Sequence, residues 1–337
     1  MASNIALVGS ESPDPHVHNT THDDEADLAD MNQVSNTDIP LWEMNAEVLP
    51  VEMHGRKYQS YPEGEYLLPN DEREMERLDL QHELFQRILG GRLHMVLLPS
   101  PQRVLDMGTG TGIWALEFAD RHPMAVVYGI DLSAIQPKFV APNCIFQIDN
   151  LSLPWDFDLK FDFIHGRSLF HCFSNPVHIF QEAFRTLADG GILEMQDFIF
   201  DFRSPDDSLK GSALQEWSKL LDEAFKSKGI DLTCVSNYRN YFEEVGFEDI
   251  QQKEFALPVG SWAEGESRKI LGHWCQANIL ELLDAISLLP LTTCQPKVMS
   301  LQAVEVLLER VRHDLQDPDI HAYLQVLIIH GRKPKTS

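Results

Sequence analysis

Basic side chains are scarce in this sequence. Lysine and arginine number 27 against 52 aspartates and glutamates, a formal charge of −25 over 337 residues. A surface that negative repels phosphate backbones and anionic lipid, which argues against direct binding to nucleic acid or a membrane face. Cysteine is scarce too. The five thiols (Cys144, Cys172, Cys234, Cys275 and Cys294) are odd in number, widely spaced and without a CxxC pair. That spacing excludes a disulfide framework or a zinc knot and suits a reducing compartment. His273-Trp274-Cys275 has no partner pair at metal-ligand spacing, so no metal is expected. No run approaches the roughly 20 apolar residues of a membrane span. The N-terminus lacks the basic region and apolar run of a secretory signal. These absences lead us to expect a soluble, cytoplasmic protein.

Hydrophobic residues make up 43% of the chain, enough for a sizeable core, but they are unevenly spread. Residues 1–40 hold eight acids and no lysine or arginine, and we read 1–45 as a disordered acidic tail. The alternative is an arm that folds on a protein partner. Segment 54–98 reads as an N-terminal cover: Asn70-Asp71 caps a helix running through Leu78, Gln81, Leu84, Phe85 and Ile88, and Gly90-Gly91 ends or kinks it.

From 99 to 334 strand and helix patterns interleave. Short apolar strands are expected at Arg103–Met107, 125–130, Cys144–Ile148, 161–165 and 192–196, with helices at Ile113–Arg121 and 177–187, the latter stopped by Asp189-Gly190-Gly191. Interleaving of this kind implies a parallel sheet with right-handed crossovers, covered on both faces. Further helices, a strand near 247–255, a helical insertion at about 256–321 and a last strand at 322–330 complete the pattern. The insertion, with Trp262 and Trp274, suits a lid over an acceptor, a completed core or a homodimer face.

The chemistry sits where the first strand runs into Gly108-Thr109-Gly110-Thr111-Gly112 and then a helix. Glycine belongs where backbone turns tightly and approaches a ligand. A dinucleotide fingerprint would be GxGxxG, whereas here the spacing is GxGxG and Ile113 stands at the third glycine's place. Asp106 also precedes the loop directly, where it would repel a pyrophosphate but attract a cationic sulfonium and ammonium. S-adenosylmethionine is therefore favoured over NAD. Asp131 ends the second strand, placed to accept two ribose hydroxyls, and Asp149-Asn150 follows the third, placed for an adenine amino group. The bland alternative for all three acids is turn capping.

Gly108-Thr109-Gly110-Thr111-Gly112-Ile113-Trp114-Ala115, Gly129-Ile130-Asp131-Leu132-Ser133 and Ile135-Gln136-Pro137 resemble the fungal LaeA-like methyltransferases. So do Pro69-Asn70-Asp71-Glu72, Arg77-Leu78-Asp79-Leu80-Gln81-His82, His321-Ala322-Tyr323 and Gly331-Arg332-Lys333-Pro334, and the likeness spans about 54 to 334. The resemblance implies an α/β, Rossmann-like class I methyltransferase: a seven-stranded, mostly parallel sheet with the last strand antiparallel, plus N-terminal and inserted cover helices. It implies S-adenosylmethionine as cofactor, with Leu132 among the residues around it. Family members often carry two acids and an alanine after strand three, but here Asn150 and Leu151 follow Asp149. The family holds small-molecule methyltransferases of secondary metabolism and a nuclear regulator that works with velvet-type partners. Both functions stay open here, an enzyme with a small-molecule acceptor coming first.

Methyl transfer from a sulfonium needs alignment and exclusion of water more than it needs a covalent intermediate. In the loop after strand four, Gly166-Arg167-Ser168-Leu169-Phe170-His171, Arg167 suits the cofactor's carboxylate or else a surface ion pair. His171 is the one candidate base, with a packed histidine as its alternative, and His165 inside the strand reads as structural.

Overall fold

The computed structural model describes residues 51–59 and 66–335, so the acidic segment 1–45 lies outside the described residues. The first two strands, β1 (Val51–Met53) and β2 (Arg56–Tyr58), pair antiparallel across His54 and Gly55. Both turn residues have positive φ, 52° and 74°, as a tight hairpin turn with the right twist requires. Arg56 then reaches Asp71 with two hydrogen bonds, 2.6 and 2.8 Å.

That same Asp71 caps α1 (Glu72–Ile88), its carboxylate accepting from Glu74 N at 3.0 Å. Acids in the first turn and Arg87 in the last complement the helix dipole. Gly90 and Gly91 both lie at positive φ, and the chain leaves the helix there. The inner face of α1 is unusual: beside Leu84 and Phe85 it buries Glu74, Arg77, Gln81 and His82. Buried polar groups need partners. Those of α1 find several far along the chain, Ser168 and Asn278 among them.

The strands after α1 are β3 (Arg103–Met107), β4 (Val126–Asp131), β5 (Cys144–Ile148), β6 (Phe161–Arg167), β7 (Leu187–Arg203), β8 (Glu248–Pro258) and β9 (Tyr323–Arg332). They form one sheet in the order β5-β4-β3-β6-β7-β9-β8. β9 runs antiparallel to both neighbours, while the pairings from β5 to β7 are parallel. This is the seven-stranded sheet the resemblance implied. Between strands lie α2 (Ile113–Arg121), α3 (Pro176–Thr186), α4 (Ala213–Lys226) and α5 (Tyr238–Val245); α6 (Glu266–Thr293) and α7 (Leu301–Gln316) lie between β8 and β9.

The boundaries around β7 differ from their sequence signal, since the strand expected at 192–196 runs over Leu187–Arg203. α3 ends at Thr186, ahead of Asp189-Gly190-Gly191, because Leu187 already pairs with Phe161 at the start of β7. The glycines instead fall at a register shift, and pairing resumes at Ile192 opposite Phe163. A bulge there lets one strand follow its helix without a separate loop.

Both sheet faces are packed. One carries Trp114, Phe118, Val127 and Phe163 around α2; the other, larger, runs from Leu84 and Phe85 through Phe198 and Phe200 to Trp217 and Leu283. The chain fills one half of the sheet with β3, β4 and β5, then crosses to β6 and β7. Strand order thus reverses between β3 and β6, and a crevice opens at their carboxyl ends.

Candidate functional site

The glycine loop at the end of β3 rests on positive φ angles at Gly108, Gly110 and Gly112 of 62°, 57° and 82°. Gly112 occupies the N-cap of α2, and a Cβ there would overlap the Phe146 ring. At Gly110 a Cβ would come 3.3 Å from Leu78 Cδ1 on α1. Left-handed backbone disfavours a side chain at all three positions, and at Gly112 the Phe146 ring leaves no room for one. The loop is braced on both sides: Thr109 N donates to Ile130 O at 2.9 Å, and Gln136 Nε2 donates to Gly110 O at 2.7 Å.

Asp106 is 3% exposed. It accepts from the Thr109 hydroxyl at 2.6 Å and faces His165 Nδ1 at 2.7 Å. The imidazole lies flat on Trp114, 3.8 Å between centroids at 3°. Burial lowers the pKa of His165 although Asp106 opposes the shift, so the ring is neutral and carries its proton on Nδ1, toward the acid. Asp106 is therefore held rigidly at the cleft wall with acceptor capacity remaining.

Asp131 bridges two loops. Its Oδ2 accepts from Gly110 N at 2.8 Å and its Oδ1 from Ser133 N at 2.9 Å. Burial pushes its pKa up, and these two backbone donors partly offset that push. Asp149 is exposed and accepts from Asn150 N at 2.7 Å, and Asn150 Oδ1 in turn accepts from Ser152 N at 2.9 Å. Capping and cleft-lining thus coexist in these acids rather than competing.

Arg167 is half-buried, not at the surface, and forms no ion pair with a carboxylate among the described residues. Burial lowers its pKa to about 10, which leaves the guanidinium charged at neutral pH. The surface ion pair considered for it is absent. Ser168, next in sequence, takes a positive φ of 58° and accepts a short hydrogen bond from Gln81 Nε2. A non-glycine residue in that region is strained, and such strain gathers at functional loops. His171 is 7% exposed, with Nδ1 3.6 Å from Cys172 Sγ and the Tyr66 ring 5.8 Å away. Burial, reinforced by Arg77, pushes its pKa down to about 3.

The residues assigned to cofactor or catalysis in the sequence line one cleft, except Gly112, which turns the chain behind it. The cleft holds about 1050 Å³ of empty space, mouth included. Asp106, Asp131 and Asp149 lie along it, with Arg167 and His171 also in its wall. A bare-backbone cradle, three carboxylates and a guanidinium without a carboxylate partner fit a ligand bearing a cation, a ribose and a carboxylate, as S-adenosylmethionine does.

Several residues of the cleft had no site role in the sequence reading, although Arg77, Leu78 and Gln81 stand in one of the motifs of the resemblance. Leu78, Arg77 and Gln81 come from α1, and Tyr66 and Phe173 also line the cavity. Asp79 accepts from the Thr111 hydroxyl at 2.7 Å, so α1 grips the glycine loop directly. The helical stretch between β8 and β9 contributes no lining residue among those described. The lid suggested for it is thus corrected: Trp262 donates to Ala322 O, Trp274 lies under Arg87, and Asn278 accepts from Arg77. Those helices hold α1, and α1 supplies Arg77, Leu78 and Gln81 to the cleft wall. The five cysteines are free, and the described residues contain no cluster of metal-ligating side chains. No helix among them is long and apolar enough to cross a membrane.

Residues 80–252, just over half of the chain, match a family described as a methyltransferase domain, and the chain belongs to it. Methyltransferase pytC of Aspergillus terreus is 34% identical over 284 residues, covering 83% of this chain and 87% of that protein. Probable methyltransferase tdiE of Emericella nidulans is 32% identical, covering 77% and 82%. Secondary metabolism regulator LAE1 of Cochliobolus heterostrophus is 31% identical, covering 84% and 94%. Within the methyltransferases the chain is thus LaeA-like, of the fungal secondary-metabolism type, and its methyl donor is S-adenosylmethionine.

Proposed function

We propose that the chain methylates a small organic acceptor of fungal secondary metabolism within this cleft. S-adenosylmethionine, when bound, supplies an electrophilic methyl group on a sulfonium. Asp131 would accept from the ribose hydroxyls, and Asp149 with Asn150 would meet the adenine amino group. Gly108, Thr109, Gly110, Thr111 and Leu132 would flank the nucleoside, with Gly112 turning the chain behind them; Asp106 would face the positive charge, and Arg167 would take the carboxylate. The single observation that carries this reading is the charge pattern: a guanidinium without a carboxylate partner facing the same cavity as three acids.

His171 would serve an acceptor hydroxyl. Its low pKa keeps the imidazole neutral across the physiological range. A neutral ring that has Nε2 as its acceptor would orient the acceptor's O–H; burial makes it a weak base, so its part is positioning more than taking up the proton. In this reading segment 54–98 acts as the cover, and 99–334 is the catalytic domain with its helical insertion at 256–321.

The second reading, a nuclear regulator acting with a protein partner, draws support from the likeness to LAE1 and from the acidic N-terminal segment. Purified protein should be incubated with methyl-tritiated S-adenosylmethionine and, separately, a small-molecule culture extract or a nuclear protein fraction. Label in the solvent-extractable fraction supports the enzyme. Label confined to protein, together with nuclear enrichment of the chain, overturns the small-molecule reading. The enzyme reading expects a cytoplasmic chain.

A further inference from the structure

The guanidinium of Arg167 is gripped from behind by α1. Its Nη2 lies 2.9 Å from His82 Nδ1, and its Cζ lies 5.3 Å from the centre of the Phe85 ring. His82 and Phe85 are three residues apart and share one helix face. A guanidinium can only donate hydrogen bonds, so His82 Nδ1 is an acceptor and its proton sits on Nε2. That nitrogen faces Glu117 Oε1 on α2 at 3.1 Å, and the Gln86 amide meets it at 2.8 Å, its oxygen being the atom able to accept the Nε2 proton. Glu117 is fixed in its turn by Arg121 Nη2, which donates at 2.7 Å.

His82 is fully buried, at 0% exposure, and three elements meet at it: α1 carries it, α2 holds one nitrogen and β6 holds the other. Burial, with the charge of Arg167 adding to it, pushes the His82 pKa down to about 3, so one tautomer persists through the physiological range. With one of five N–H donors engaged by His82, Arg167 has four with no hydrogen-bond partner among the described residues, and its side chain lines the cleft. An arginine otherwise rotates freely about its long stem, and fixing the fork beforehand lowers the entropy lost when it binds a carboxylate.

We infer that His82 is a positioning residue for the methyl donor, one whose fixed tautomer, backed by Glu117, aims the Arg167 fork at the donor's amino-acid carboxylate. This rests on Arg167 being that carboxylate's partner. The role is distinct from that of the cradle residues, because it governs one end of the ligand only.

The test compares two ligands by calorimetry on the full chain: S-adenosylhomocysteine, which has the carboxylate, and 5′-methylthioadenosine, which lacks it. His82→Leu should weaken S-adenosylhomocysteine about tenfold and leave methylthioadenosine within about twofold. His82→Asn, whose amide oxygen can stand in for Nδ1, should restore most of the loss. If His82→Leu weakens both ligands alike, or neither, while Arg167→Met weakens S-adenosylhomocysteine alone, the inference fails and the Arg167 assignment stands. If Arg167→Met shows no such selectivity, the assignment itself fails. Should His82→Leu not fold, nitrogen-15 resonances of histidine-labelled wild type decide the matter. An Nε2-protonated His82 upholds the relay, and an Nδ1-protonated one overturns it.

Discussion

Asp131→Asn separates two jobs that one carboxylate performs. In the wild type its oxygens accept from Gly110 N at 2.8 Å and Ser133 N at 2.9 Å. An asparagine oxygen can serve one of those donors, while its NH2 group faces the other and leaves that N–H unpaired. An unsatisfied buried N–H costs about 1–3 kcal/mol. Neutralisation works the other way on stability, because burial already disfavours the charge. The two effects therefore partly cancel in folding, and chemical denaturation should show a loss of no more than about 2 kcal/mol. In binding they do not cancel. The glycine loop loses its brace and the ribose loses a charged acceptor, together about 1–3 kcal/mol, or roughly fivefold to 150-fold in affinity. Calorimetry with S-adenosylhomocysteine at matched protein folding reads this directly. Affinity within twofold of wild type would refute the reasoning.

Other perturbations probe different links. Gly112→Ala forces a side chain into left-handed backbone at φ 82° and against Phe146; the strain of about 1–2 kcal/mol plus an overpacking cost of about 1–3 kcal/mol should lower the melting temperature and weaken cofactor binding together. Arg77→Met leaves the Glu74 carboxylate buried without its partner and should destabilise by about 3–5 kcal/mol in urea titration, whereas Glu74→Leu with Arg77→Met should recover most of it. Asp197, fully buried, accepts from Tyr238 OH at 2.8 Å and Phe170 N at 3.2 Å, and burial raises its pKa from 3.8 to about 7. The folded state holds that proton more tightly, so its contribution is full below the unfolded pKa and is lost as pH rises toward 7. Stability relative to Asp197→Asn should therefore fall between roughly pH 4 and 7, and a flat difference would contradict the burial argument.

The sheet was legible because strands buried on both faces read as short apolar runs with helices between them, and the GxGxG loop because only glycine tolerates its backbone. Asp106, Asp131, Asp149 and Arg167 could be placed from their positions at strand ends, since ligands of such sheets bind there. The helix within 54–98 is legible too, but the partners of its polar side chains are not: Arg77, Gln81 and His82 meet Asn278, Ser168 and Arg167, which lie 201, 87 and 85 residues away. For the same reason Trp262 and Trp274 looked free to line an acceptor site, although their partners at Ala322 and Arg87 turn them elsewhere. Local periodicity reports which face is apolar, but says nothing of a polar face buried by distant partners.

A crystal structure of the full chain with S-adenosylhomocysteine tests the central claim most directly. One molecule is expected in the cleft between β3 and β6, its ribose hydroxyls on Asp131 and its carboxylate on Arg167, beneath α1. Ligand bound elsewhere, or a cleft filled by protein side chains while the ligand is saturating, would contradict it.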